Sequence, residues 1–262
     1  MTQQKNEHTV NCGSIEVLKK VFKGKHEPLE TKTINLYKIH FVAYQNRIPE
    51  LSNFLTIDEL DRANRYHQTK DKNRFIIGRA FLKLILRELT GLDAREINFK
   101  YEKNKKPYLP DVPHMFFNVS HSGDYGIIGI SNVFKIGVDI EKLDLNYNFS
   151  EILPTVFCAK EIQYIDEELD SSKIFYTLWT RKEALVKAMG KGIDDDFPNI
   201  TVLDGTNQLK SSHSKNTGNW QVFSLDISEE YLAAVAINKI SEKPPKVQLY
   251  ELPKNIDEVF EL

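Results

Sequence analysis

The spacing of apolar positions along the chain predicts a mixture of strands and helices. Residues 34–44 alternate between apolar and polar positions, which is typical of a strand. Thr56 and Glu59 have the spacing of a capping box and predict the start of a short helix. From Asp71 to Thr90 the apolar residues form one stripe, and Gly91 follows as a stop signal, so a long helix with one buried face is expected.

The second half of the chain repeats this order of elements loosely. Four short strand patterns follow the long helix, at 97–101, 115–119, 125–131 and 136–140. Helical patterns come next at 150–168 and 175–189, followed by strand patterns at 220–227 and 232–237. Although no residue-level repeat is found, the order predicts an α+β fold of two similar halves. We expect an N-terminal extension at 1–33, a first half at 34–135 and a second half at 136–262.

The composition limits the cellular location and the classes of binding partner that are expected. The 262 residues carry 35 Lys and Arg against 37 Asp and Glu, so no overall electric field favours nucleic acid or an anionic membrane. An anionic ligand would need a local cluster of cations. The two cysteines, Cys12 and Cys158, are too few for a disulfide framework and indicate a reducing, cytoplasmic setting. No stretch has the apolar length of a secretory signal or a membrane span.

A strand at 136–141 carries two carboxylates on one face. Ile136, Val138 and Ile140 alternate with Gly137, Asp139 and Glu141. The Cα atoms of Asp139 and Glu141 are expected about 6.6 Å apart, close enough for both side chains to share a divalent cation such as magnesium. The alternative is a solvated face on an edge strand.

The helix at 175–189 carries a third carboxylate. Tyr176, Thr180, Glu183 and Lys187 recur at four, three and four residues and form one stripe. Glu183 therefore stands one turn before the ammonium of Lys187. An ordinary helix-stabilising Glu–Lys pair is the alternative interpretation of this spacing.

Hydroxyl and imidazole groups meet where the strand pattern at 115–119 ends. Ser120, His121 and Ser122 can donate hydrogen bonds to a phosphate. A Ser/His hydrolase is the competing hypothesis, but the chain has no G-x-S-x-G elbow here, and neighbouring residues of a strand point in opposite directions. Several cations precede this segment in the sequence, each of which taken singly is typical of a solvated surface: Arg62, Arg65, Arg74, Lys105 and Lys106.

Together these segments resemble one family. The order of Lys106-Pro107, 117–123, 137–141 and 179–192 closely resembles the 4′-phosphopantetheinyl transferases of the surfactin-synthetase type, over about residues 36–252. The resemblance implies two similar α/β halves related by a pseudo-two-fold axis, with the active site in the cleft between them. It also implies transfer of the phosphopantetheine arm of coenzyme A to a serine of an apo acyl or peptidyl carrier protein, releasing adenosine 3′,5′-bisphosphate. A degenerate protein that only binds coenzyme A or carrier proteins is the alternative, because Glu59 stands where a member of the family has a lysine.

The resemblance also implies roles for particular residues. Asp139, Glu141 and Glu183 correspond to the magnesium ligands, and Glu183 has a second candidate role as general base for the attacking serine. Lys187 is expected to contact the pyrophosphate and to stabilise the leaving group, so Asp139, Glu183 and Lys187 form the expected catalytic set.

Further residues match positions that bind coenzyme A. Ser120 and His121 correspond to phosphate contacts, Lys106 to a nucleotide contact, and Arg62 and Arg74 to residues facing the 3′-phosphate. The expected cofactors are Mg²⁺ and coenzyme A as co-substrate. The expected protein is a cytoplasmic monomer whose partner is an apo carrier protein, without nucleic acid or membrane as partners.

Overall fold

The computed structural model describes the chain at residues 8–22, 29–30, 32–194, 196–209, 218–239 and 243–258. These residues divide into two units, neither of them continuous in sequence. The carboxylate unit, which holds Asp139 and Glu183, takes its described residues from Met1–Glu16 and Phe134–Pro244. The arginine unit, which holds Arg62 and Arg74, takes its described residues from Val17–Val133 and Pro245–Leu262.

Strands and helices come in separate runs along the chain, as expected for an α+β fold. The strands are β1 (His8–Ser14), β2 (Val17–Val21), β3 (Thr33–His40), β4 (Lys100–Tyr101), β5 (Pro107–Tyr108), β6 (Phe116–Ser122), β7 (Tyr125–Ser131), β8 (Ile136–Lys142), β9 (Gly205–Leu209), β10 (Trp220–Ser228), β11 (Tyr231–Asn238) and β12 (Lys246–Glu251). The α-helices are α1 (Ile48–Ser52), α2 (Ile57–Asn64), α3 (Thr69–Thr90), α4 (Leu153–Val156), α5 (Ala159–Glu167) and α6 (Ser171–Ala188). Short 3₁₀ helices occupy Phe41–Arg47, Phe197–Asn199 and Ile256–Glu258. The α+β prediction is confirmed.

Each unit is built on a five-stranded sheet. In the carboxylate unit the strand order is β8-β11-β10-β1-β9, with β8 at one edge. In the arginine unit the order is β2-β12-β3-β7-β6. Both sheets contain three consecutive antiparallel strands followed by a parallel neighbour, β1 beside β10 in one unit and β12 beside β3 in the other. The two halves are thus similar, as the order of elements predicts.

The local signals for helices are largely confirmed. Thr56 and Glu59 form both bonds of the capping box at the start of α2. Helix α3 ends where Gly91 adopts a left-handed φ of 74°, and α6 covers the predicted helix at 175–189. No helix within the described residues is long and apolar enough to cross a membrane.

The N-terminal residues differ from the prediction. The sequence predicts only an extension at 1–33, whereas the structure has strands β1 and β2 there. Strand β1 lies between β10 and β9, and β2 pairs in parallel with β12. Their partners come more than 190 residues later in the chain, so local periodicity carries little signal for these strands.

Other predicted elements are shorter or broken. The strand expected at 34–44 stops at His40, because Phe41 and Tyr44 are both buried on one side of a 3₁₀ helix. The helical pattern at 150–168 is split into α4 and α5 by extended backbone at Phe157 and Cys158. Of the strand expected at 97–101 only Lys100–Tyr101 forms. Strands β9 and β12 have no counterpart in the prediction.

A buried glutamate–lysine pair recurs in both units. Glu59, from the capping box of α2, lies 2.9 Å from the ammonium of Lys83 on α3. Glu161, from the capping box of α5, lies 2.8 Å from that of Lys182 on α6. Both lysines are fully buried, and burial lowers the pKa of each. Each pair joins a short helix to the long helix of its unit, which is a residue-level similarity that the sequence comparison of the halves missed.

Candidate functional site

Strand β8 holds Asp139 against helix α6. The carboxylate is almost fully buried, with 2% of the residue exposed, so this face of the strand is not the solvated one that the alternative interpretation requires. Gly137, on the same face, explains the close packing. A Cβ at Gly137 would lie 2.9 Å from Cα of Ala188 and closer still to the carbonyl oxygen of Ala184, both on α6. Only glycine allows the strand and helix to approach this closely.

Asp139, Glu183 and Lys187 form one charged cluster. The Lys187 ammonium donates to Oδ1 of Asp139 at 2.6 Å and lies 3.7 Å from Oε2 of Glu183. Burial raises the pKa of the Glu183 carboxyl, and the neighbouring Asp139 adds to this, while the Lys187 ammonium opposes it. The predicted stripe on α6 therefore does face the carboxylate strand, and two carboxylates share one cation.

Glu141 lies further along the same face. Its charge acts on Tyr176, whose pKa is raised mainly by burial and also by the negative charges of Asp144 and Glu141, against a hydrogen bond with the backbone of Asp144 that lowers it. Tyr176 belongs to the same stripe of α6 as Glu183, two turns earlier. Asp139 contacts Lys187 near the end of α6, whereas the backbone of Asp144, which follows β8, bonds to Tyr176 nearer its start, so the strand and the helix run in opposite directions.

The cluster has the donor chemistry of a site for a hard divalent cation, although it is not a closed cage. Within the described part of the chain, no group of three His, Cys, Asp or Glu side chains is arranged to hold a metal ion. Asp139 and Glu183 supply carboxylate oxygens at one point, and Glu141 adds a third negative charge nearby. Magnesium is commonly bound by one or two carboxylates, with waters and substrate phosphates completing its shell, so the donor set fits this ion.

The arginine unit contains a cationic cavity of about 210 Å³. Arg62 from α2, Arg74 from α3 and His121 from β6 all line it. Aromatic rings, among them Phe75 and Tyr101, form part of its wall. The structure therefore brings together three residues from separate elements, in a cavity whose cations suit an anionic group and whose aromatic walls suit an aromatic one.

The two arginines are held by specific contacts. The guanidinium of Arg62 stacks over the ring of Phe75, 5.0 Å from its centroid. Arg74 donates to the Asp71 carboxylate at 3.0 Å and also to the carbonyl oxygen of Gly123, in the turn that follows β6. Because the turn fixes Arg74, the Ser-His-Ser-Gly segment and the arginine occupy defined positions relative to each other.

Ser120 and Lys106 do not line this cavity. Ser120 is buried and His121 is exposed, because consecutive residues of β6 point to opposite faces. This agrees with the argument against a Ser/His hydrolase. Lys106 is half-buried immediately before β5, and it lines neither the 210 Å³ cavity nor a neighbouring one of about 490 Å³.

Two cations lining the cavity were not assigned from the sequence. Arg79 lies one helical turn after Phe75 and stacks over the rings of Phe75 and Phe99. Its position within the apolar stripe of α3 is a signal that could have identified it. Lys105 lines both cavities, but only the geometry of its hairpin distinguishes it from Lys106.

Comparison with known proteins decides the family. A model of the 4′-phosphopantetheinyl transferase superfamily matches residues 135–236, and a model of a 4′-phosphopantetheinyl transferase N-terminal region matches residues 44–132. The 4′-phosphopantetheinyl transferase Sfp of Bacillus subtilis is 31% identical over 172 residues, covering 62% of this chain and 74% of that protein. The chain belongs to the 4′-phosphopantetheinyl transferase superfamily. Similar transferases include HetI of Nostoc sp., 29% identical over 80% of this chain and 90% of that protein, and psf-1 of Bacillus pumilus, 28% identical over 84% and 90%.

Membership identifies the class of enzyme. The 4′-phosphopantetheinyl transferases use coenzyme A and transfer its phosphopantetheine arm to carrier proteins. In this transferase, the superfamily match at 135–236 includes the whole Asp139–Glu183–Lys187 cluster. The N-terminal match at 44–132 includes Arg62, Arg74 and the other residues of the cationic cavity from α2 to β7.

Proposed function

We propose that this chain transfers the phosphopantetheine arm of coenzyme A to a serine of an apo acyl or peptidyl carrier protein, with Mg²⁺ held by Asp139, Glu141 and Glu183. The observation that carries the proposal is the charged cluster of the carboxylate unit. Its two carboxylates and one ammonium carry a formal charge of −1, and Glu141 on the same face of β8 adds a third carboxylate, which suits a divalent cation bound beside a pyrophosphate. Magnesium would supply charge neutralisation and orientation of the pyrophosphate oxygens.

Glu183 has the properties of the general base in this reaction. In the proposed step the serine oxygen of the carrier attacks the β-phosphorus of coenzyme A, and the serine proton passes to a carboxylate. The bond from this phosphorus to the bridging oxygen breaks, and adenosine 3′,5′-bisphosphate leaves. A general base must lie within hydrogen-bond reach of the proton that it removes, directly or through one water, and Glu183 is the carboxylate that we assign to this role.

Lys187 contributes positive charge to the same step. Its ammonium already contacts Asp139 and approaches Glu183. A cation held at this point can stabilise the negative charge that develops on the leaving phosphate. Lys187 also offsets part of the repulsion between the Asp139 and Glu183 carboxylates before substrate binds.

We assign the nucleotide end of coenzyme A to the arginine unit. Arg62 and Arg74 suit the 3′-phosphate, since guanidinium groups form paired hydrogen bonds with phosphate oxygens. His121 lines the same cavity, and Ser120 and Lys106 remain proposed contacts on the basis of the family resemblance. The finer parts of the proposal are a substrate range of the surfactin-synthetase type, a cytoplasmic location and a monomeric state.

The test is a transfer assay with matched variants. Wild-type protein, coenzyme A and Mg²⁺ are mixed with an apo carrier domain, and the mass of the carrier is followed. Asp139→Asn and Glu183→Gln should each slow transfer at least about 100-fold while the proteins remain folded, because each removes a charge at the reacting centre. Lys142→Gln, at the exposed end of β8, is the control and should retain the wild-type rate. Wild-type rates in both site variants would refute the assignment.

A further inference from the structure

The turn between β4 and β5 holds a lysine in a conformation that favours glycine. Lys105 has a φ of 62°, and among the described non-glycine residues only Lys32 shares a positive φ. The amide of Lys105 donates to the carbonyl oxygen of Glu102 at 2.9 Å, and the amide of Glu102 donates to that of Lys106 at 2.9 Å. This pattern is a tight turn followed by a bulge, in which glycine usually occupies the left-handed position.

Nothing within the hairpin explains why lysine occupies this position. Lys105 is exposed, and no ion pair within the described residues involves it. A left-handed backbone is unfavourable for a residue with a Cβ, and such strain is characteristic of functional sites. The position of Lys105 relative to the cavities is therefore informative.

Lys105 lies where the two cavities of the arginine unit meet. Together with Arg62 and Tyr101 it lines both of them. The smaller cavity is lined by four Lys or Arg side chains and by no carboxylate of the described chain: Arg62, Arg74, Arg79 and Lys105. Such a lining selects for an anion.

A second observation also points to a ligand in this cavity. The side chain of Arg79 is 8% exposed, and its Nε lies 3.5 Å from Oε1 of Glu59. Its Nη1 is a buried donor with no hydrogen-bond partner among the described residues. Burying an unsatisfied guanidinium donor is costly, and an anionic group in the cavity would satisfy it. Arg79 on α3 and Lys105 on the β4–β5 hairpin therefore place charged donors at the same cavity.

We propose that Lys105 is a phosphate-binding residue of this transferase, held at the cavity by its strained turn and contacting the nucleotide end of coenzyme A. The assignment rests on the proposed function for the identity of the ligand. It adds a contact that the family resemblance does not supply, since that resemblance assigns Lys106 alone in this segment. The strain is then the cost of placing a cation where the turn prefers glycine.

The test separates strain from binding by substituting glycine. Lys105→Gly removes the ammonium and the strain together, so its melting temperature should be unchanged or raised by about 2 °C. Its affinity for adenosine 3′,5′-bisphosphate, measured by calorimetry, should fall about 10-fold and depend less on salt. Lys105→Arg keeps the cation and should stay within about 2-fold of wild type.

Lys32→Gly is the matched control, because it relieves the other left-handed lysine of the same unit. It should change the melting temperature similarly and leave the affinity unchanged. Wild-type affinity in Lys105→Gly, loss of affinity in Lys105→Arg equal to that in Lys105→Gly, or no binding of the bisphosphate by wild type would each overturn the proposal.

The parallel transfer assay keeps the two proposals separate. If wild type binds the bisphosphate through Lys105 but modifies no carrier, the proposed function fails and the assignment of Lys105 stands. If wild type modifies a carrier and Lys105→Gly binds the bisphosphate normally, the assignment of Lys105 fails and the proposed function stands.

Discussion

Gly137→Ala tests the packing that brings the carboxylate strand and α6 together. The added Cβ would meet backbone atoms of Ala184 and Ala188, with Cα of Ala188 at 2.9 Å and two polar backbone atoms nearer. Backbone cannot rotate away as a side chain can, so β8 and α6 would have to separate by about 1 Å to reach the 3.4 Å of ordinary contact. Such overpacking is expected to reduce the free energy of unfolding by about 3 kcal/mol.

The same displacement should disturb the charged cluster. Lys187 lies 2.6 Å from Asp139, and a separation of about 1 Å would exceed the range of a good hydrogen bond. A misplacement of this size in a catalytic centre commonly costs about 100-fold in rate. We therefore expect Gly137→Ala to lower the melting temperature by about 6–12 °C and to slow transfer about 100-fold at a temperature where the variant is folded.

Thermal unfolding followed by circular dichroism gives the first quantity, and the rate of carrier modification gives the second. Gly13→Ala is the matched control, because Gly13 lies in a strand of the same sheet and a Cβ there would meet nothing within 4 Å. The control should keep the wild-type melting temperature within about 2 °C and the full rate. A Gly137→Ala variant with wild-type stability and rate would refute this account of how the site is positioned.

Three further predictions follow from buried groups. Lys182→Met leaves Glu161 buried without its cation and should lower the free energy of unfolding in urea by about 3–5 kcal/mol. Adding Glu161→Gln to this variant should recover part of the loss. Equal stability of Lys182→Met and wild type would contradict the expectation. Burial raises the pKa of the Cys12 thiol to about 12. Iodoacetamide at pH 8, with labelling followed by mass spectrometry, should therefore modify Cys158 well before Cys12. Early labelling of Cys12 would contradict its burial. A serine-directed phosphonate should form no adduct at Ser120, whereas an adduct would favour the hydrolase hypothesis.

Helices with local signals were predicted well, and strands with distant partners were not. Thr56 and Gly91 fix the ends of α2 and α3 through bonds to residues within one turn, so their sequence is sufficient. Strand β2 depends on parallel pairing with β12, more than 200 residues later, and its own residues are mostly exposed. No periodicity could reveal such a strand.

The same distinction applies to the site. The period of the strand and the stripe of the helix predict the faces on which Asp139, Glu183 and Lys187 lie, the family resemblance assigns them to one site, and the structure places them together. The need for glycine at 137 depends on how closely α6 approaches β8, which no pattern within the strand encodes. The cationic cavity depends on the meeting of α2, α3, β6 and the β4–β5 hairpin, so the positions of Arg79 and Lys105 became apparent only from the fold.

The most direct test of the central claim is the mass of an apo carrier domain before and after incubation with this protein, coenzyme A and Mg²⁺. We expect a gain equal to one phosphopantetheine arm on the carrier serine, with release of one adenosine 3′,5′-bisphosphate for each carrier modified. We also expect that Asp139→Asn gives no gain in the same time. An unchanged carrier mass across acyl and peptidyl carrier domains, with folded wild-type protein, would contradict the claim.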